Sequence, residues 1–179
     1  MRVTDTMVKF LRTPLVLLVL LVSGPVSFGQ VLSSTDGKMP DIVPLFELQD
    51  VNGNLVSLEA HRGKVVMINF WATWCPPCIE EMPAMDALKK ALSDKPFEIL
   101  AVNISEDREA IETFLERTGF DLNFPLLLDP GGIVADKYAV RGLPATMLVD
   151  PDGKFAFGGV GARDWDSPEV IAEIMPLFD

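Results

Sequence analysis

The pentapeptide Trp-Cys-Pro-Pro-Cys at residues 74–78 is the strongest constraint on the fold. It holds the only two cysteines and joins an apolar run, residues 65–70, to a stretch with helical periodicity. A helix N-terminus presents unpaired N–H groups and a partial positive charge, so Cys75 would ionise there more readily than a free thiol. Two residues between the thiols allow a small reversible disulfide ring. The motif therefore indicates thiol redox chemistry where a strand meets a helix.

Other uses of a C-x-x-C motif fit this chain poorly. A zinc site would need two further Cys or His ligands, but there is no third cysteine and the only histidine is His61. Haem attachment needs a histidine directly after the second cysteine, where this chain has Ile79. A purely structural disulfide is also a poor explanation, because closing so short a loop constrains the unfolded chain little.

Length and charge limit the classes of function. The 179 residues suffice for one domain with a sizeable core. The chain has 26 Asp and Glu residues against 15 Lys and Arg residues, a formal net charge of −11. Such a charge repels nucleic acid and anionic membrane surfaces, so we predict no nucleic-acid partner, and solubility accounts for the acidity itself.

Residues 1–29 have the pattern of an export signal. Three basic residues precede an unbroken Leu and Val run at 15–22, and small residues follow at Ser27 and Gly29. The run is shorter than the ~20 residues that span a bilayer, so we predict a cleaved signal peptide, with a retained N-terminal anchor as the alternative. Cleavage would change the net charge from −11 to about −13, since three basic residues and one acidic residue are lost. Residues 30–40 are predicted to be a linker, which leaves 41–179 for the folded domain.

Apolar strand patterns alternate with helical patterns along residues 41–179. Two short runs on either side of residues 52–54 predict an N-terminal β-hairpin. Beyond it, periodicity predicts helices at 76–93, 108–118 and 133–138, a helix start at 167–169, and strands at 65–70, 97–104, 124–128, 145–149 and 154–160. This order is typical of a three-layer α/β domain with a mixed central sheet.

Several separated motifs resemble the exported TlpA/ResA-like thiol–disulfide oxidoreductases of the thioredoxin superfamily. They are the segments NFWATWCPPC at 69–78, EEMP at 80–83, GK at 63–64 and RGLPAT at 141–146. The resemblance extends from about Pro40 to the C-terminus. It implies a thioredoxin-like three-layer fold, a mixed central sheet with an N-terminal β-hairpin, and a reaction that needs no cofactor.

The resemblance implies that Cys75 is the exposed nucleophile and Cys78 the resolving thiol behind it. The position of Cys75 at the helix mouth agrees, because the N-terminal field acts most strongly there. Pro76 and Pro77 lack N–H groups, and Ile79 replaces a basic residue that many relatives carry, so support for a Cys75 thiolate is reduced. The helix N-terminus and the Cys78 N–H are expected to remain its main support.

Four residues are expected to bind substrate. Pro144 matches the family's cis-proline, which leaves the backbone of Leu143 free to pair with an extended substrate chain. Without the resemblance, Pro144 would be interpreted as a trans proline at the start of a strand. Trp74 and Pro76 are expected to line an apolar groove beside the thiols.

Glu81 matches an acidic residue that the family keeps near the active site. On a helix, residues i and i+3 share a face, so Glu81 can lie beside Cys78 and exchange a proton with it, whereas Glu80 points elsewhere. The alternative is an ordinary solvated carboxylate. Asn69 stands where cytoplasmic thioredoxins have a buried aspartate, so Glu81 is predicted to replace that carboxylate in proton transfer.

These features predict an exported thiol–disulfide oxidoreductase, acting as a reductase of protein disulfides in the periplasm or at the outer face of the bacterial membrane. By resemblance, its clients would be apocytochrome c or copper-site proteins, and its electron donor a membrane thiol transporter. Association with the membrane itself is expected only if the N-terminal segment is retained. A disulfide-forming oxidase or isomerase is the main alternative. A copper chaperone is the other, although His61 lies upstream of the cysteines, unlike the histidine of Sco-type chaperones.

Overall fold

The structure is a computed structural model that describes residues 41–179. The predicted signal or anchor and the predicted linker lie outside the described residues. In chain order the strands are β1 (Glu47–Gln49), β2 (Leu55–Ser57), β3 (Val65–Trp71), β4 (Phe97–Ile104), β5 (Leu126–Asp129), β6 (Ala145–Val149) and β7 (Phe155–Val160). The helices are α1 (Pro76–Ala91), α2 (Arg108–Thr118), α3 (Ile133–Lys137) and α4 (Pro168–Ile174), with short 3₁₀ helices at Leu58–His61 and Met175–Phe178.

Strand β3 is the centre of a five-stranded mixed sheet in the order β5-β4-β3-β6-β7. It runs parallel to β4, which runs parallel to β5, while β6 is antiparallel to both β3 and β7. All seven residues of β3 are buried, as expected for a strand covered on both faces. Strands β1 and β2 form a separate antiparallel hairpin. The predicted thioredoxin-like α/β fold with an N-terminal hairpin is confirmed.

The sheet separates two apolar clusters, because successive side chains of a strand point to opposite faces. On one face, Val65, Met67 and Trp71 of β3 pack with buried residues of α1, α2 and α4. On the other, the remaining apolar side chains of β3 pack with α3 and with Val43, Phe46 and Leu58. Asn69 lies on the first face, so its side chain is directed towards α1.

Local sequence explains where the helices begin and end. Pro76 and Pro77 occupy the first positions of α1, where their missing N–H groups cost no helical hydrogen bond. Asp107 caps α2 by accepting a hydrogen bond from the Ala110 N–H at 3.0 Å, and α2 ends at Gly119 in the left-handed conformation with φ of 68°. Helix α4 begins at Pro168 after Ser167 as N-cap, as the sequence predicts.

Predicted element bounds differ from the observed ones by a few residues. Helix α1 ends at Ala91 rather than at 93, and β7 begins at Phe155 rather than at 154. Strand β5 begins at Leu126 rather than at 124, because Pro125 has no N–H to donate to a strand ladder. Among the helices of residues 41–179, none has the length and apolar character needed to cross a membrane.

Candidate active site

Cys75 and Cys78 form a disulfide at the N-terminus of α1, with their Cα atoms 5.3 Å apart. Cys75 is the N-cap residue, and Cys78 lies in the first turn. In this oxidised state Cys75 is only 5% exposed and Cys78 1% exposed, so the expected exposed nucleophile is nearly buried. The reason is that both residues belong to the apolar cluster beneath the helix. What distinguishes them is position, since Cys75 lines a surface groove and Cys78 does not.

The backbone around the disulfide offers few hydrogen-bond donors to a Cys75 thiolate. The Cys78 N–H, expected from the sequence to support the thiolate, instead donates to the carbonyl oxygen of Cys75 at 3.1 Å. The Ile79 N–H donates to the same oxygen at 3.2 Å. Because Pro76 and Pro77 have no N–H, the first turn of α1 contributes mainly its dipole to this site.

An open groove of about 660 Å³ lies beside the disulfide. It is lined by residues 74–77, residues 140–143 and Ile104. Trp74 is 64% exposed, which is unusual for so large an apolar side chain. All four residues predicted to bind substrate therefore lie in or next to the groove: Trp74, Pro76 and Leu143 line it, and Pro144 follows Leu143.

The Leu143–Pro144 peptide bond is cis, as the family resemblance implies. Pro144 immediately precedes β6, and its carbonyl oxygen accepts a hydrogen bond from the Gly161 N–H at 2.8 Å. Within residues 41–179 the backbone N–H and C=O of Leu143 make no hydrogen bond. They can therefore pair with an extended chain that lies in the groove.

Glu81 is a buried carboxylate, 3% exposed, in the second turn of α1. Its Oε1 accepts a hydrogen bond from Asn69 Nδ2 at 2.8 Å, and its Oε2 accepts from Trp165 Nε1 at 2.9 Å and from the Arg163 N–H at 3.1 Å. Asn69 Nδ2 also donates to Thr146 Oγ1 at 2.9 Å. The alternative of a solvated carboxylate is therefore wrong for Glu81, whereas Glu80 is exposed.

Burial raises the pKa of Glu81 above its ordinary value of 4.5. The hydrogen bonds from Trp165, Asn69 and the Arg163 N–H lower the pKa, but they offset only part of the effect of burial. A carboxyl group whose pKa is raised in this way can exchange a proton closer to neutral pH than an exposed one can. Glu81 follows Cys78 by three residues in α1, so the two side chains share a face of the helix.

A second carboxylate, Glu106, fixes the loop that leads into the dithiol. Its Oε2 accepts hydrogen bonds from the Thr73 N–H at 2.7 Å and from Asn103 Nδ2 at 2.8 Å, and its Oε1 accepts from the Thr73 hydroxyl. Asn103 stands near the end of β4 and is fully buried. Glu106 therefore links the C-terminal end of β4 to Thr73, the residue that precedes Trp74.

Replacing Glu106 with alanine should lower the free energy of unfolding by about 1–3 kcal/mol, because the Thr73 N–H and the Asn103 amide would lose a charged acceptor. Urea unfolding of the purified protein measures this change. Glu112→Ala is the matched control, since Glu112 is an exposed carboxylate of α2, and it should change stability by less than about 0.5 kcal/mol. Equal effects of the two substitutions would contradict the role of Glu106.

Sequence reasoning missed several residues of this site. Trp165 and Arg163 contact Glu81 from a segment more than 80 residues away, and Glu106 contacts Thr73 from 33 residues away. Short-range periodicity carries no information on such contacts. The available signal is a lone tryptophan in the otherwise polar segment at 163–167, which favours a buried side chain whose indole N–H makes a hydrogen bond.

His61 lies away from the dithiol. It lines a small pocket with residues 149–151 and Gly153, where β6 ends, whereas the disulfide is near Pro144, where β6 begins. Within the part of the chain that the structure describes, no three His, Cys, Asp or Glu side chains are grouped closely enough to hold a metal ion.

Comparison with known proteins agrees with this site. The family model described as AhpC/TSA matches residues 39–157. The thiol-disulfide oxidoreductase ResA of Bacillus subtilis strain 168 is 36% identical over 146 residues, which cover 81% of this chain and 80% of that protein. ResA of Geobacillus thermodenitrificans is 39% identical over 145 residues, covering 80% and 82% respectively.

A solved structure also matches over most of the chain. The crystal structure of a protein described as a thiol:disulfide interchange protein DsbE, from Chlorobium tepidum, superposes with a TM-score of 0.72 at 30% identity. The match covers 82% of this chain and all of that one. Given the disulfide at the head of α1 and these matches, the chain belongs to the AhpC/TSA family, in which it is a thioredoxin-fold thiol–disulfide oxidoreductase of the ResA/DsbE type.

Proposed function

We propose that this protein is an exported reductase of protein disulfides. The observation that carries the proposal is the Cys75–Cys78 disulfide at the edge of an apolar groove, beside the unpaired backbone of Leu143. Such a groove suits an extended segment of a client protein, with the client's disulfide next to Cys75. Export is supported by the basic and apolar pattern of residues 1–29.

The reaction begins from the reduced pair. The Cys75 thiolate attacks one sulfur of a client disulfide, forming a mixed disulfide and releasing the other client sulfur as a thiolate. The Cys78 thiolate then attacks the Cys75 sulfur, which forms the Cys75–Cys78 disulfide and releases the second client thiolate. Two electrons pass from the protein to the client, and each released client thiolate takes up a proton.

Glu81 serves the second step in this proposal. The Cys78 thiol must lose its proton before it can attack. Cys78 is 1% exposed in the disulfide and belongs to the apolar cluster beneath α1, which makes water a poor acceptor. The carboxylate of Glu81, on the same face of α1, accepts that proton. Its buried network of Asn69, Trp165 and the Arg163 N–H holds the carboxylate in one orientation.

The backbone supports reduction rather than oxidation. A strong oxidant owes its potential to an unusually stabilised thiolate in the reduced form. Here the N–H groups of Cys78 and Ile79 are both bonded to the Cys75 carbonyl, and the two prolines contribute none. Weak stabilisation of the thiolate favours a more reducing potential for the pair, which supports the proposed reductase activity. A reductase working in an oxidising compartment needs an electron donor, for which a membrane thiol transporter is our candidate.

We predict a potential near that of thioredoxin, about −270 mV, rather than near the −120 mV or so of DsbA. Equilibration of the purified pair against glutathione redox buffers measures it. A value more positive than about −180 mV, the potential of protein disulfide isomerase, would favour oxidase or isomerase work instead.

The proposed clients are apocytochrome c and copper-site assembly proteins, in the periplasm or at the outer face of the membrane. Both kinds of client present cysteine pairs that must be reduced before they receive haem or copper. Incubating each oxidised apoprotein with the reduced protein and titrating the client thiols that appear tests this assignment. Reduction of neither apoprotein at a rate above that of free dithiol would reject these clients.

A further inference from the structure

The groove beside the disulfide is apolar except for one charged residue, Arg141, the only one among its lining residues in the described part of the chain. We propose that Arg141 makes the groove selective for client segments that carry Asp or Glu within about two residues of the reacting cysteine. This inference rests on the proposed function, because it concerns the clients that Cys75 attacks.

The guanidinium of Arg141 is available to a client. Arg141 is exposed, and its Nη1 donates one hydrogen bond, at 3.2 Å, to the neighbouring carbonyl oxygen of Val140. In residues 41–179, none of the ion pairs includes Arg141. A guanidinium has five N–H donors in a planar fork, so enough remain to bind a carboxylate through two parallel hydrogen bonds.

The position of Arg141 relative to Leu143 sets the expected spacing between the client's cysteine and its acidic residue. A client chain that pairs with the Leu143 backbone places its cysteine beside Cys75, which lies in the same groove. Arg141 precedes Leu143 by two residues, so their Cα atoms are at most about 7 Å apart. A carboxylate within about two residues of the client cysteine can therefore meet the guanidinium.

Gly142 lies between Arg141 and Leu143, and a Cβ atom built on it would come within 3.1 Å of Val160 Cγ1. A side chain at residue 142 would therefore press on Val160, so glycine lets the backbone that joins Arg141 to Leu143 lie close to β7.

The positive charge of Arg141 is opposite in sign to the net charge of the protein. A net charge of −11 repels a strongly acidic client at long range. An isolated carboxylate near the cysteine escapes most of this repulsion, and it meets Arg141 beside apolar surface, where water competes less with the ion pair. The clients that fit are therefore neutral or basic proteins with one acidic residue close to the reacting cysteine.

A simpler interpretation is that Arg141 only covers apolar surface with its stem while its charge stays in water. In that case the groove would have no preference for client charge. The two interpretations differ in a rate that can be measured directly.

The experiment uses the full chain with the Cys78→Ser substitution, so that each reaction stops at the mixed disulfide on Cys75. Three peptides differ only in having Glu, Gln or Lys two positions from a cysteine that is activated as its thionitrobenzoate disulfide. Attack by Cys75 on the peptide sulfur releases thionitrobenzoate, whose absorbance gives the rate constant. Each rate is divided by that of the same peptide with 2-mercaptoethanol, which removes differences in intrinsic reactivity.

We expect the Glu peptide to react about two- to fivefold faster than the Gln peptide, and the Lys peptide to react more slowly. Arg141→Glu should reverse this order, and Arg141→Gln should abolish it. Lys137→Glu is the matched control: it makes the same change in net charge at an exposed residue outside the groove, and it should keep the original order.

The outcomes separate this inference from the proposed function. If the three peptides react equally with every variant, Arg141 has no role in selection, although Cys75 remains the attacking thiol. If Lys137→Glu changes the order as Arg141→Glu does, the effect comes from net charge and the inference is wrong. If no peptide reacts above the rate with the Cys75→Ser protein, the proposed function fails as well.

Discussion

A Cys78→Ser variant should retain a client as a mixed disulfide on Cys75, whereas a Cys75→Ser variant should form none. The physical reason is position, since Cys75 is the N-cap residue of α1 and lines the groove, whereas Cys78 is 1% exposed within the helix. Turnover of a disulfide substrate should fall by more than about 1000-fold in both variants, because each removes one of the two sulfurs that the reaction needs. Non-reducing electrophoresis and mass spectrometry of the trapped complexes measure the difference.

Each of these variants is the natural control for the other. Both lose the disulfide, so any cost to folding is shared and should appear equally in their unfolding curves. Trapping by both variants in equal amounts would contradict the assignment of Cys75 as the attacking thiol. The proteins captured by Cys78→Ser would also identify the clients directly.

Much of the fold could be predicted from the sequence because its signals are local. The apolar run of β3, the helical spacing of α1 and the turn at residues 52–54 each follow from residues close in the chain. The dithiol is predictable for the same reason, since both cysteines and the helix that carries them form one continuous segment.

The surroundings of the dithiol are harder to predict from the sequence, because segments that are far apart in the chain form them. The carboxylate of Glu81 accepts hydrogen bonds from Asn69 on β3 and from Trp165 beyond β7, and its burial depends on both segments. A single sequence suggests that Glu81 shares a face with Cys78, but the donors that hold it are set by packing. Glu106 is a similar case, because only the fold brings it to Thr73.

The oxidation state also matters to what a sequence can predict. An exposed Cys75 is expected from its position at the N-terminus of α1 if the free thiol alone is considered. In the disulfide its sulfur is bonded to that of Cys78, and both residues pack in the apolar cluster beneath α1, which explains their low exposure. Position along the groove, rather than exposed area, is therefore the better structural criterion for the attacking thiol.

Replacing Glu81 with glutamine should slow the resolving step by about 100-fold at neutral pH, the lower end of general acid–base effects. The wild-type rate should rise with pH as Glu81 ionises, and because its pKa is raised this rise should lie above pH 4.5. Glutamine cannot accept the Cys78 proton, so the variant should lose this part of the profile. Glu80→Gln, an exposed neighbour, should keep both the rate and the profile.

The same carboxyl group should make stability depend on pH. In the unfolded chain Glu81 ionises near pH 4.5, and in the folded protein burial raises its pKa. Between these two values the folded state binds more protons, so the free energy of unfolding falls as pH rises through the folded pKa. Below pH 4.5 this contribution is fully present. Urea unfolding from pH 4 to pH 8 should show a steeper loss for wild type than for Glu81→Gln.

The difference between the two proteins isolates Glu81 from other titrating groups. His61, whose pKa burial lowers, makes stability rise with pH in part of this range, but it does so equally in both proteins. The free energy of unfolding at a single pH is a poorer measure of this effect. In the Glu81→Gln variant the glutamine amide would face Asn69, Trp165 and the Arg163 N–H, which now donate hydrogen bonds to a carboxylate. If Glu81→Gln changes the pH dependence of the free energy of unfolding but leaves the pH profile of the resolving rate unchanged, Glu81 is a structural residue only. If the variant loses both pH dependences, Glu81 is the proton acceptor of the resolving step.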